Sequence, residues 1–132
     1  MKDATDRPKG LTRTECLRLM ATARIGRVVF TEQALPAVMP VAFVIDGGDV
    51  VLCAPPRTNL AAATRGAIVA FEVDDVDGVR PAGWAVTVIG RARIDRDPGD
   101  RVRRALQAWA TGPGTEFIRI SCERLTGRRG RR

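Results

Sequence analysis

The side chains available for chemistry in this 132-residue chain exclude several kinds of site. The sequence contains no histidine and no tyrosine. Without histidine, the Ser-His-Asp and Cys-His triads cannot form, and the most frequent metal ligand and neutral-pH base is missing. A catalyst made from the remaining residue types would take its chemistry from a bound cofactor.

The cysteines and carboxylates do not predict a metal site. Cys16, Cys53 and Cys122 are widely spaced and odd in number, which argues against a disulfide framework and a structural zinc site, so we expect small buried thiols. An acidic cluster comprises Glu72, Asp74, Asp75 and Asp77. It does not match a calcium loop, because Val73 occupies the first ligand position relative to Gly78. We interpret it as the solvent face of a strand that enters a turn.

The net charge of +7 is concentrated near the C-terminus. Residues 119–132 contribute +5, whereas residues 1–118 hold 16 basic and 14 acidic side chains. No Trp or Phe is interleaved with the terminal arginines to stack on bases, so nucleic-acid binding is not expected. Residues 127–132 are interpreted as a mobile basic tail.

The chain length fits one domain, for which residues 11–126 are predicted after a disordered leader at 1–10. No apolar run is long enough to span a bilayer, and the polar N-terminus has no signal-peptide apolar region. The cytoplasm is therefore the expected compartment.

The pattern of elements predicts a mainly β domain with flanking helices. Thr12 and Glu15 form a capping box for a first helix, and the turn at residues 46–49 predicts a hairpin. Asp97 is expected to cap a later helix with Pro98 at its first position. That helix would dock through a stripe consisting of Val102, Ala105, Leu106 and Trp109. A last strand is expected from Phe117 to about Leu125. The order is helix, three strands, short helix, two strands, helix and strand, and six antiparallel strands in one small domain favour a closed barrel.

Three features could bind a ligand, and each has a plainer explanation. Arg57, Thr58 and Asn59 open a short helix at 58–65 and could bind a phosphate, or could simply cap the helix beside an exposed arginine. Trp84 could pack on a planar ligand at the barrel mouth or belong to the core. Pro40 inside a strand marks an edge, a bulge or a break in the ladder.

Together these segments resemble the pyridoxamine 5'-phosphate oxidase-like family of FMN-binding split barrels, in its short bacterial form. The resemblance covers residues 11–129. The segments that carry it are Ile25-Gly26-Arg27-Val28-Val29-Phe30, Val38-Met39-Pro40-Val41-Ala42-Phe43, Val69-Ala70-Phe71-Glu72-Val73-Asp74, Gly83-Trp84-Ala85-Val86 and Leu125-Thr126-Gly127-Arg128-Arg129.

The resemblance implies a six-stranded antiparallel split barrel, a homodimer, and two flavin sites in the clefts between subunits. By this resemblance, Met39, Pro40 and Val41 present backbone groups to the isoalloxazine ring. Trp84 lines the cleft, and Arg128 is the late arginine near the cofactor.

The resemblance is weakest at the residues that would bind the phosphate group of FMN. The family commonly has an Arg-Thr pair and a later lysine where this chain has Cys53, Ala54 and Asn59. Two functions therefore stay open. The first is an FMN-dependent oxidoreductase acting on a small conjugated substrate. The second is a non-catalytic dimeric protein that binds a flavin, a deazaflavin or another planar ligand.

Overall fold

Antiparallel strands make up most of the structure, a computed structural model that describes residues 9–76, 83–110, 112 and 114–130. In chain order the elements are β1 Lys9–Gly10, α1 Arg13–Met20, β2 Ile25–Glu32, β3 Leu35–Asp46, β4 Asp49–Cys53, α2 Leu60–Thr64, β5 Ile68–Val76, β6 Gly83–Ile94, α3 Asp100–Leu106, β7 Phe117–Ile120 and β8 Arg124–Arg129. None of the described helices is long and apolar enough to cross a membrane.

Six strands close into a barrel in the order β6-β5-β2-β3-β4-β7, with β7 pairing back to β6. All of the pairings are antiparallel. The predicted six-stranded antiparallel split barrel is confirmed. β8 and the short β1 extend the sheet beyond β6.

The split arises in β6, which changes partner along its length. Residues 84–89 pair with β8, and residues 92–94 pair with β7. Gly90 lies between the two halves, where a Cβ atom would overlap the carbonyl oxygen of Ser121. The chain leaving β7 therefore crosses directly over Gly90, and a residue without a side chain is needed there.

The barrel interior is apolar and closed at one end by α1. The rings of Phe43 and Phe71 meet edge to face at 4.9 Å between centroids. The Thr12–Glu15 capping box predicted for α1 is confirmed, and Cys16 and Met20 face the core. All three cysteines are buried and unpaired, and burial raises the pKa of Cys122 to about 11. They are the small buried thiols that the sequence predicted.

Arg119 on β7 is largely buried and forms ion pairs with residues of several elements. Its guanidinium lies 2.8 Å from Asp95, 2.9 Å from Asp46 and 3.3 Å from Asp49. Hydrogen bonds from Arg101 and Arg119 hold the pKa of Asp46 below its usual value. The network links β7 to the β3–β4 hairpin and to the segment after β6.

The helix predicted after β6 differs in the structure. α3 begins at Asp100 rather than at Pro98 with Asp97 as its cap, because Gly99 has a φ of 97° that a helix cannot contain. Val102 and Leu106 are buried as expected, whereas Ala105 and Trp109 are exposed.

The single last strand expected from Phe117 to Leu125 is two strands, β7 and β8. β8 extends as far as Arg129 and pairs with both β6 and β1, so the basic tail expected from Gly127 is ordered strand over residues 127–129. Lys9 and Gly10, assigned to the leader, form β1. Residues 1–8, 131 and 132 lie outside the described residues.

Candidate ligand groove

The N-terminal two-thirds of β3 has a strand neighbour on one side only. Residues 35–42 pair with β2, whereas β4 pairs only with residues 43–46. Within the described chain, the other side of residues 35–42 is an open sheet edge, and Pro40 lies in it opposite Arg27. Of the edge, bulge or break that Pro40 predicted, the structure shows an edge, and its unpaired backbone groups can bond a ligand or another strand.

A cavity of about 310 Å³ adjoins this edge. We call it the ring compartment. Its walls are almost entirely apolar and consist of Ile25, Pro40, Val41, Ala42, Cys53, Pro55, Pro56 and Trp109. The Cys53 thiol donates to the Trp109 carbonyl oxygen at 3.6 Å, and burial raises its pKa, so it stays neutral. This compartment suits a planar, largely apolar group.

A second cavity of about 200 Å³ shares Pro55 and Pro56 with the ring compartment. We call it the middle compartment. Its remaining walls are Ala54, Arg57, Thr58, Gly114, Thr115 and Glu116. Arg57 is exposed, has a left-handed φ of 60°, and forms no ion pair within the described residues.

The side chains of the two residues that follow Arg57 form hydrogen bonds within the protein. The Thr58 hydroxyl donates to the Pro55 carbonyl oxygen at 2.8 Å, and the Asn59 amide donates to Glu32 at 3.1 Å. The helix expected at 58–65 is shorter and begins at Leu60, and the Asn59 side chain does not cap it. Arg57 is therefore the most available anion-binding group of the three predicted residues.

A third cavity of about 390 Å³ shares residues 114–116 with the middle compartment. We call it the distal compartment. Its other walls are Ile94, Asp95, Arg96, Arg103 and Phe117. The three compartments adjoin through shared residues and form one groove along this side of the barrel.

The groove includes some of the predicted site residues and leaves out others. Pro40 and Val41 line the ring compartment, while the side chain of Met39 packs against the barrel core. Asn59 lines none of the three compartments. Arg128 lies on β8, separated from β3 by β6, β5 and β2 in the sheet order. One chain does not bring Arg128 to the groove.

Of the two interpretations that the sequence left open for Trp84, the single chain shows the core, whereas Trp109 lies at the groove. Trp84 is 8% exposed and belongs to the core. Trp109, which helical spacing assigned to an apolar stripe, is 51% exposed and lines the ring compartment. α3 ends at Leu106, so Trp109 lies outside the helix to which its spacing assigned it.

The acidic cluster is a strand-face ion group. The Arg27 guanidinium lies 2.9 Å from Glu72 and 2.8 Å from Asp74. Burial, together with the neighbouring Asp74, raises the pKa of Glu72. Asp77 lies outside the described residues, and within them no three His, Cys, Asp or Glu side chains are arranged to hold a metal ion.

The closed barrel with its open β3 edge defines a split-barrel protein, and the groove beside that edge has the size of a small-molecule site. The model of the pyridoxamine 5'-phosphate oxidase family matches residues 12–129, and the chain belongs to this family.

Similar proteins are found among mycobacteria and rhizobia. The protein Rv0080 of Mycobacterium tuberculosis is 38% identical over 128 residues, covering 89% of this chain and 82% of Rv0080. An FAD binding protein from Mycobacterium smegmatis is 34% identical, with 93% of this chain and 98% of that chain covered and a TM-score of 0.74. An FAD-binding protein from Mesorhizobium loti, 21% identical over 93% of this chain and 98% of that chain, has the same fold with a TM-score of 0.80.

Proposed function

We propose that this chain binds a flavin in the groove and works as a flavin-dependent oxidoreductase on a small conjugated substrate, in the cytoplasm. The observation that carries the proposal is the apolar ring compartment on the open edge of β3, next to Arg57, a cation that no described carboxylate pairs. FMN is the flavin that the sequence resemblance implies, and the M. smegmatis relative is an FAD binding protein.

The residues of the ring compartment would position the flavin and keep water away from it. Pro40 contributes no N–H, so the open backbone groups of its neighbours on β3 are those available to the polar edge of a ring. Cys53 and Trp109 form an uncharged wall. A bound flavin supplies the electron or hydride transfer, and the chain supplies orientation and a dry surface.

The phosphate region supports a second candidate, a dimeric binding protein without turnover for a flavin, a deazaflavin or another planar ligand. Cys53 and Ala54 replace the Arg-Thr pair that the resemblance leads us to expect, and Asn59 is bonded to Glu32. A charged hydrogen bond contributes roughly 1.5–3 kcal/mol, so the loss of two would weaken FMN binding by about 100-fold or more.

A homodimer is part of the proposal. Leu35 and Val38 on the open edge of β3 are 67% and 61% exposed. Exposed apolar side chains on an unpaired strand favour association. Since Arg128 does not reach the groove of its own chain, we propose that Arg128 from a second copy completes the site and that the ligand lies in the cleft between subunits.

Absorption spectroscopy tests the proposal directly. Purified protein is titrated with FMN and with FAD, and reduced nicotinamides are then added to the loaded protein. Binding followed by bleaching near 450 nm supports the oxidoreductase. Binding without bleaching by any reduced nicotinamide favours the second candidate. A colourless protein that binds neither flavin contradicts the oxidoreductase and also contradicts a binding protein for flavins.

A further inference from the structure

The distal compartment contains cations that no described carboxylate neutralises. Arg96 and Arg103 both line it, and within the described part of the chain neither guanidinium forms an ion pair. By contrast, the Asp95 carboxylate on the same wall is bonded to Arg119 at 2.8 Å. The compartment therefore offers two free positive charges to an anion.

Arg103 is also held in place. The carbon atom at the centre of its guanidinium lies 5.3 Å from the centroid of the Phe117 ring, and Nη2 donates to the Arg96 carbonyl oxygen at 3.2 Å. A cation fixed by an aromatic ring and a hydrogen bond loses less conformational entropy when it binds a phosphate than a freely moving one does. A guanidinium in this position retains further N–H donors for a ligand.

The remaining walls suit a nucleoside. Ile94 is a half-buried apolar side chain against which a base can pack, whereas Phe117 is buried and holds Arg103. Glu116 borders both the middle and the distal compartments, and a carboxylate there can accept hydrogen bonds from sugar hydroxyl groups. The volume of about 390 Å³ lies within the range of about 300–1,000 Å³ typical of small-molecule sites.

Resting on the flavin site proposed above, we infer that the distal compartment binds the adenosine monophosphate end of FAD. The isoalloxazine ring occupies the ring compartment, the first phosphate lies near Arg57, and Arg96 and Arg103 bind the second phosphate. The groove thus selects a dinucleotide flavin over FMN, which offsets the cations missing at Cys53 and Asn59.

The test compares the affinities of FMN and FAD for the full-length protein. We expect FAD to bind at least about 10-fold more tightly than FMN, because one further phosphate meets two cations. In the double variant Arg96→Gln and Arg103→Gln, FAD affinity should fall by about 10-fold or more while FMN affinity stays within about threefold. Unchanged FMN affinity also shows that the variant is folded.

Arg104→Ala provides the matched control, since Arg104 is an exposed neighbour of Arg103 that lines none of the three compartments. It should leave both affinities unchanged. Equal affinities of the wild-type protein for FMN and FAD, or a double variant that shifts both alike, would overturn the assignment and leave the flavin site intact. Failure of both flavins to bind the wild-type protein would instead refute the proposed function itself.

Discussion

Arg57 combines a strained backbone with a charge that no carboxylate in the described part of the chain pairs. Its φ of 60° lies in the left-handed region, which costs a residue with a Cβ roughly 1–2 kcal/mol. It is also the free guanidinium of the middle compartment. A strained residue at a ligand-facing position is typical of a site where function is maintained at the expense of stability.

Arg57→Gly should therefore separate stability from affinity. We expect the free energy of unfolding to rise by about 0.5–1 kcal/mol, because glycine adopts a positive φ without strain. Flavin affinity should fall by about 10-fold through loss of the charged contact. Urea denaturation and flavin titration measure the two effects. Arg57→Ala is the control, since it removes the charge but keeps the strain; a stability gain in that variant would contradict the explanation.

The two tryptophans should behave in opposite ways when they are replaced. Trp109→Ala removes a half-exposed ring from the ring compartment, so flavin affinity should fall about 3- to 10-fold with little change in stability. Trp84→Phe alters the core, so it should lower the free energy of unfolding by about 1–3 kcal/mol and leave affinity within twofold. The reverse result would support the position in the cleft that the family resemblance implies for Trp84.

The ligand-binding residues could be predicted from the sequence only in part. Pro40 was informative because its missing N–H excludes it from a fully paired strand, and the edge it marks is where the ring compartment lies. Arg96 and Arg103 could not be predicted in this way, because the sequence contains many arginines and does not show which of them form ion pairs. Ion pairing is decided by the fold.

At the scale of elements, local chemistry predicted some boundaries, and tertiary contacts determined others. The α1 capping box involves residues three apart and could be identified from the sequence. β8 has the sequence RLTGRR, which favours no strand by itself. It becomes one because residues 84–89 of β6 offer an unpaired edge once β7 has paired with the other half.

That division of β6 makes Gly90 a sensitive position. Gly90→Ala would drive a methyl group into the backbone of Ser121, so we expect a loss of about 3 kcal/mol or more in the free energy of unfolding. Gly48→Ala is the comparison, because nothing surrounds Gly48 and only its φ of 82° opposes a side chain, at about 1 kcal/mol. Equal losses in the two variants, measured by urea denaturation, would mean that the crossing over Gly90 can move.

At the scale of the whole molecule, the groove of a single chain lies along an open sheet edge. The groove lies beside the open edge of β3, and Leu35 and Val38 project apolar side chains from that strand. Arg128 lies on β8, beyond β6 in the sheet, and does not line the groove of its own chain. A second copy packed on β3 would bury the apolar side chains and could supply the missing arginine.

Val38→Lys tests this arrangement. A charge on the exposed edge of β3 should oppose association, because the lysine would be buried without a partner in the dimer. Light scattering should give a mass near 14.3 kDa for the variant and about twice that for the wild-type protein. Flavin affinity should fall with the dimer, by about 10-fold or more, if Arg128 of the second copy contributes a charged contact.

Gln107→Lys is the control, because it adds the same charge at an exposed position outside the three compartments and should change neither mass nor affinity. A Val38→Lys dimer that binds flavin normally would place the interface elsewhere, and a monomeric wild-type protein would remove the need for Arg128 in the site.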